Sequence, residues 1–98
     1  MQLTLYYQQG SRAQRVRWML EELGLDYALE HIDLYGGEGN SEAYRRIHPL
    51  GQLPALKIDD DVMIESGAIV QWLADYDAES RFAPSLESPL RRDFNQWI

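Results

Sequence analysis

Two positions in this chain combine a hydroxyl with the start of a helical pattern, and both could stabilise an anion. Glu65-Ser66 precedes a run in which Ile69, Leu73 and Tyr76 recur at helical spacing. A serine opening a helix presents free backbone N–H groups and the positive end of the helix dipole, a ready site for a carboxylate. Ser11 stands in the same relation to a stripe of Val16, Met19, Leu20 and Leu23. A hydroxyl donor there, added to the dipole, favours a bound anion. Taken alone, each serine is equally well explained as a helix cap.

Other chemistries lack their parts. The chain has no cysteine, which excludes a disulfide, a protein thiol nucleophile and any cysteine-ligated metal or cluster. His31 and His48 are too few for a metal site of three or four ligands, and Asp59–Asp61 reads as a charged hairpin tip. No glycine-rich phosphate loop or G-x-S-x-G elbow is present. The spacing of serine, histidine and aspartate does not form a triad pattern. Nine basic residues against sixteen acidic ones give a net charge of −7, which opposes general nucleic-acid binding.

The elements that must position these residues follow from periodicity. Leu3, Leu5 and Tyr7 alternate with polar neighbours, predicting a strand, and a helix follows over Arg12–Leu23, ended by Gly24. Tyr27–Leu34 reads as a second strand, with Tyr27, Leu29 and His31 on one side. Ser41 caps a short helix to about Ile47, stopped by His48-Pro49. Leu53–Ile58 and Val62–Ile64 form a hairpin around Asp59–Asp61, and Ser66 caps the last helix of the unit. The order β-α-β-α-β-β-α, with one parallel pair and one hairpin, predicts an α/β fold with a four-stranded mixed sheet, the thioredoxin-like arrangement.

Residues 1–80 form this unit, 81–88 read as a linker, and 89–98 as the first helix of an all-helical domain. Ser88-Pro89 opens that helix, and its stripe of Leu90, Phe94, Trp97 and Ile98 needs an apolar partner. The alternative is a terminal helix folded back on the domain. The chain starts MQLTLYY without a signal-peptide pattern, and its apolar runs are far too short to span a membrane. A cytoplasmic protein is expected.

Three stretches together resemble the glutathione S-transferase family: Gly10-Ser11-Arg12-Ala13-Gln14-Arg15-Val16-Arg17 through Leu23-Gly24-Leu25-Asp26-Tyr27, His48-Pro49-Leu50-Gly51-Gln52-Leu53-Pro54-Ala55-Leu56, and Glu65-Ser66-Gly67-Ala68-Ile69-Val70-Gln71-Trp72-Leu73. The resemblance implies glutathione as co-substrate with no other cofactor, a small electrophile as second substrate, and a homodimer in the full-length protein. It implies a cis Leu53-Pro54 bond, with the Leu53 N–H and C=O pairing with the cysteinyl backbone of glutathione like an added strand. Ser66 would take the γ-glutamyl carboxylate and Glu65 the ammonium beside it. Gln52 would reach the glycyl end, for which Arg45, Arg46 and His48 are further candidates.

The activating donor has several candidates. A free thiol titrates near ~8.5, and lowering that by about two units takes roughly 2.7 kcal/mol. Ser11 resembles the activating serine of serine-type members. Counted back from Gly24, however, the usual serine of some classes falls on Gly10 and the cysteine of the bacterial beta class on Arg12. Arg12, Tyr6 and Tyr7 are the substitutes. The all-helical domain of the family supplies the electrophile pocket and most dimer contacts, so these 98 residues alone are expected to turn over little or nothing. The competing functions are a non-catalytic binding or regulatory protein on the same scaffold, against which the intact Glu65-Ser66 argues, and glutathione-dependent disulfide or peroxide reduction.

Overall fold

A computed structural model describes residues 1–98. Its sheet has the order β2-β1-β3-β4, built from β1 (Leu3–Tyr7), β2 (Ala28–His31), β3 (Ala55–Ile58) and β4 (Asp61–Ile64). β1 and β2 are parallel, as the intervening helix α1 (Ala13–Leu23) requires; β3 is antiparallel to both β1 and β4. Helices α2 (Glu42–Arg45), α3 (Ser66–Tyr76) and α4 (Arg91–Trp97) complete the chain. This is the thioredoxin-like arrangement expected from the sequence.

Alternation along β1 divides the two faces. Leu3 and Leu5 join Val16 and Leu20 of α1, Leu56 of β3, and Ile69 and Leu73 of α3 in one core, none more than 4% exposed. Burying each such side chain contributes about 1.5–3 kcal/mol, so this face supplies most of the packing energy. On the opposite face the Tyr6 ring meets Tyr44 of α2 edge-on, with centroids 5.8 Å apart. Helix α2 is a single turn, held by the Ser41 hydroxyl accepting from the Tyr44 N–H at 3.1 Å. Gly24 ends α1 at φ +68°, its N–H donating to the Glu21 carbonyl while Leu25 reaches the Leu20 carbonyl.

Several expected boundaries shift. α1 begins at Ala13 rather than Arg12, and α2 stops at Arg45 rather than Ile47. β2 is only four residues, all exposed, so Leu29 and His31 form no covered face; Tyr27, just ahead of the strand, packs part-buried against the core. Asp61 pairs with Ile58, leaving a turn of Asp59-Asp60 only. Leu53 and Pro54 stay outside β3. Ser66 is the first helical residue and not the cap; Glu65 occupies the cap position without a side-chain cap bond. Tyr76 stacks on Trp72 and stands half out of the core.

α4 starts at Arg91, after a turn in which the Ser88 hydroxyl accepts from the Leu90 N–H. Its attachment to α3 is polar. Arg91, buried, donates to both carboxylate oxygens of Asp75 at 2.8 and 2.9 Å and to the Pro84 carbonyl. That bidentate pair holds the Asp75 carboxyl below its ordinary range. Leu90 and Trp97 remain largely exposed, so this packing leaves much of the apolar stripe uncovered.

The loop ahead of β3 is set by a backbone contact. A Cβ on either Gly39 or Gly51 would collide with the other's carbonyl oxygen, and Gly51 also has φ +66°. Gly51→Ala is therefore expected to lose about 1–2 kcal/mol from the left-handed backbone alone, plus the clash. Gly10→Ala, at φ +85° in open space, bears only the first of these. Urea unfolding of both variants checks the order; equal losses would show that the close approach costs nothing.

Candidate functional site

The sheet register gathers three loops at one edge. Tyr6 at the end of β1 lies opposite Ala55 at the start of β3, and Ala55 opposite Ile64 at the end of β4. The loop into α1, the Gln52-Leu53-Pro54 segment and Glu65-Ser66 consequently meet. They enclose a small polar cleft of about 40 Å³, to which Gln52, Leu53, Pro54, Glu65 and Ser66 all contribute, joined by Arg12 and His48. The structure thus brings together all five residues named for substrate binding.

The Leu53-Pro54 bond is cis. Leu53 precedes the first ladder residue, and neither its N–H nor its C=O has a partner within the chain. A buried peptide group without a partner is costly, but Leu53 is only half-buried, so both groups are open to an extended ligand. The segment is held from below by Tyr44. Its hydroxyl donates to the Gln52 carbonyl at 2.5 Å, and burial raises this phenol far above its ordinary range, so it remains a donor.

Glu65 adopts φ +74° and ψ +109°, a region that costs of order 1–3 kcal/mol for a residue with a side chain. Its carbonyl accepts from the Ile69 N–H and starts α3, while its carboxylate is exposed and makes no ion pair or hydrogen bond within the chain. Ser66 is 8% exposed, and its hydroxyl oxygen accepts from Arg15 Nη1 at 3.0 Å. With the oxygen so engaged, the serine proton is free to be donated to a ligand. The first turn of α3 adds N–H groups that have no helical partner.

Ser11 is arranged differently. Its hydroxyl donates to the Gln8 carbonyl at 2.6 Å and accepts from the Ala13 N–H at 3.3 Å, and it does not line the cleft. Of the substitutes, Arg12 does line it, with a guanidinium free of any partner within the chain. Tyr6 packs on Tyr44, and burial followed by the charge of Glu30 raises its phenol, so it stays protonated. Tyr7 lies beneath the Arg17 guanidinium, 5.1 Å from its ring centre. Neither tyrosine lines the cleft.

Two of the glycyl-end candidates are committed elsewhere. Arg45 donates to the Pro49 carbonyl and the Asn40 amide oxygen, both at 2.8 Å, and Arg46 pairs with Glu42 at 2.9 Å. His48 alone of the three lines the cleft. Sequence reasoning missed Arg15 and Tyr44. Arg15 falls one turn beyond Ser11, and the packing of α1 against α3 gives it a partner 51 residues away; no local pattern announces that. A larger apolar groove of about 440 Å³ runs between α1 and α3 past Trp18, Met19 and Val70. Its lining is mainly apolar, with Arg15 and Glu22 its only charged members.

The family model described as glutathione S-transferase, N-terminal domain, matches residues 5–81. The chain is 40% identical over 98 residues to a maleylacetoacetate isomerase of Pseudomonas aeruginosa, covering 94% of this chain and 43% of that protein. It is 40% identical over 85 residues to glutathione S-transferase Z2 of Arabidopsis thaliana, covering 85% and 38%. Among solved structures, the glutathione transferase URE2P8 of Phanerochaete chrysosporium, crystallised with oxidized glutathione, superposes with a TM-score of 0.90 at 31% identity, covering 98% of this chain and 46% of that one. The chain therefore spans less than half the length of these relatives. By its fold, by the stretches that form its cleft and by these matches, the chain belongs to the glutathione S-transferase family.

Proposed function

We propose that this chain forms the glutathione-binding half-site of a transferase, holding the tripeptide and stabilising its thiolate for attack on a small electrophile. The observation that carries this reading is the open Leu53 N–H and C=O flanked, in one cleft, by a free carboxylate at Glu65 and a donor-ready hydroxyl at Ser66. An extended peptide pairs with the Leu53 groups as with a strand edge. Its γ-glutamyl carboxylate meets Ser66 and the N-terminus of α3, and its ammonium meets Glu65. Gln52, exposed at the outer end of the segment, takes the glycyl end.

The sulfur then lies toward the start of α1. Ser11 turns its proton from the Gln8 carbonyl to the sulfur, and the Arg12 charge adds to the field of the helix terminus. The thiolate attacks the electrophilic carbon, a carbon–sulfur bond forms, and the leaving group departs with its electron pair. A second reading is favoured by the isomerase relative: the same thiolate adds to a conjugated double bond, the bond rotates, and the thiolate is expelled. Both uses share one requirement, a glutathione thiol ionised at neutral pH.

In this reading the electrophile pocket and most contacts of a homodimer belong to the all-helical domain, outside residues 1–80. Residues 81–88 serve as linker and 89–98 as the start of an all-helical domain, which the exposed Leu90 and Trp97 support. A cytoplasmic location completes the proposal.

Two outcomes test it. Ser66→Ala is expected to weaken glutathione binding about tenfold, the worth of one charge-assisted hydrogen bond, with an unchanged circular dichroism spectrum; calorimetric titration of both proteins measures this, and undiminished affinity would remove Ser66 from the site. Ser11→Ala is expected to raise the titration midpoint of bound glutathione by about one unit, followed by thiolate absorbance against pH. A rise confined to Arg12→Ala would instead assign activation to the guanidinium.

A further inference from the structure

His48 is 2% exposed, yet its ring is only half used by the protein. Nδ1 accepts from the Leu50 N–H at 3.1 Å, closing the turn that leads to Gln52 and Leu53. Nε2 has no partner within the chain, and no side-chain nitrogen or oxygen sealed from solvent is unsatisfied. His48 lines the cleft beside Glu65 and Ser66, the space toward which its unpartnered nitrogen can open. The Tyr44 ring stacks beside it, with centroids 6.4 Å apart and planes at 25°.

The hydrogen bond at Nδ1 fixes the tautomer. An imidazole that accepts there carries its proton on Nε2, so the cleft is offered an N–H donor. Burial, opposed by Glu65 and by the residue's own backbone and reinforced by Arg45, keeps the ring below its ordinary titration range and hence neutral. A neutral donor can approach a carboxylate beside Glu65 without forming an ion pair with Glu65 itself.

We infer that His48 is a binding residue for the γ-glutamyl end of the tripeptide, its Nε2–H donating to one oxygen of the α-carboxylate while Ser66 donates to the other. This assignment rests on the glutathione reading of the cleft and moves His48 from the glycyl end, where its position in the sequence had put it. The grounds are geometric: His48 lines the cleft with Glu65 and Ser66, the two residues that suit the γ-glutamyl group, while Gln52 on the same cleft is already assigned to the glycyl end.

His48→Asn separates ligand contact from loop support, because an asparagine oxygen can still accept from the N–H two residues on but reaches no further. Calorimetric titration of wild type and variant would use glutathione, γ-glutamylcysteine, and the analogue in which γ-aminobutyrate replaces the γ-glutamyl residue. The expected result is a loss on the order of tenfold, equal for the first two ligands, and no change for the analogue without the α-carboxylate. Undiminished glutathione affinity, an equal loss for the analogue, or a loss confined to glutathione would each overturn the inference. The last would return His48 to the glycyl end. Wild type that binds none of the three would overturn the glutathione reading itself, and this assignment with it. Imidazole nitrogen NMR of the wild-type chain gives the same test without a variant: Nε2 should shift on adding glutathione while Nδ1 remains an acceptor, and an unmoved Nε2 contradicts the contact.

Discussion

The cleft depends on the register of β3 against both its neighbours. Ala55 lies opposite Tyr6 on one side and Ile64 on the other, so the strand entrance at Pro54, the exit of β1 and the start of α3 share one edge. A shift of one residue would turn Leu56 from the core to the opposite face, and the aliphatic packing around it forbids that. Hydrophobic burial on one face of the sheet thereby fixes polar chemistry at its edge. The other face contributes through Tyr44, which packs on Tyr6 and suspends the Gln52 carbonyl.

The electrostatics run against the bulk charge. A protein of net charge −7 repels anions at long range, and that repulsion is largely screened beyond about 8 Å at physiological salt. At the cleft the local arrangement takes over. Arg12 offers an unpartnered guanidinium, Arg15 turns the Ser66 hydroxyl into a donor, and the N-terminus of α3 adds its partial positive charge. Glu65 supplies a single free anion, held where it is by an unfavourable backbone conformation. In the proposed function such a site discriminates by geometry, with a carboxylate and an ammonium fitting it only in adjacent positions.

Much of this was legible because it is local. Periodicity placed the strands and helices, and the glutathione transferase-like stretches named Gln52, Leu53, Pro54, Glu65 and Ser66, which share one cleft. What escaped depends on contacts distant in sequence. Arg15 reads as an ordinary exposed helix residue until α1 packs on α3 and carries it to Ser66. Tyr44 reads as one residue of a short helix, and only the fold shows its hydroxyl under Gln52. Ser66 was expected as a cap, whereas Glu65 takes that position at a positive φ that propensity does not foresee. Ser11 has the residue type and location for activating a thiol, but its proton is given to the Gln8 carbonyl, a choice of rotamer that no sequence pattern encodes.

In the proposed complex the open Leu53 peptide groups receive an extended ligand. A titration of the isotope-labelled chain with glutathione, followed through its backbone amides, tests it most directly. The largest shifts are expected at Leu53, Ser66 and Gly67, with slowed exchange of the Leu53 N–H as it gains a partner. Shifts confined to the apolar groove around Trp18 and Val70, with Leu53 unmoved, would contradict it.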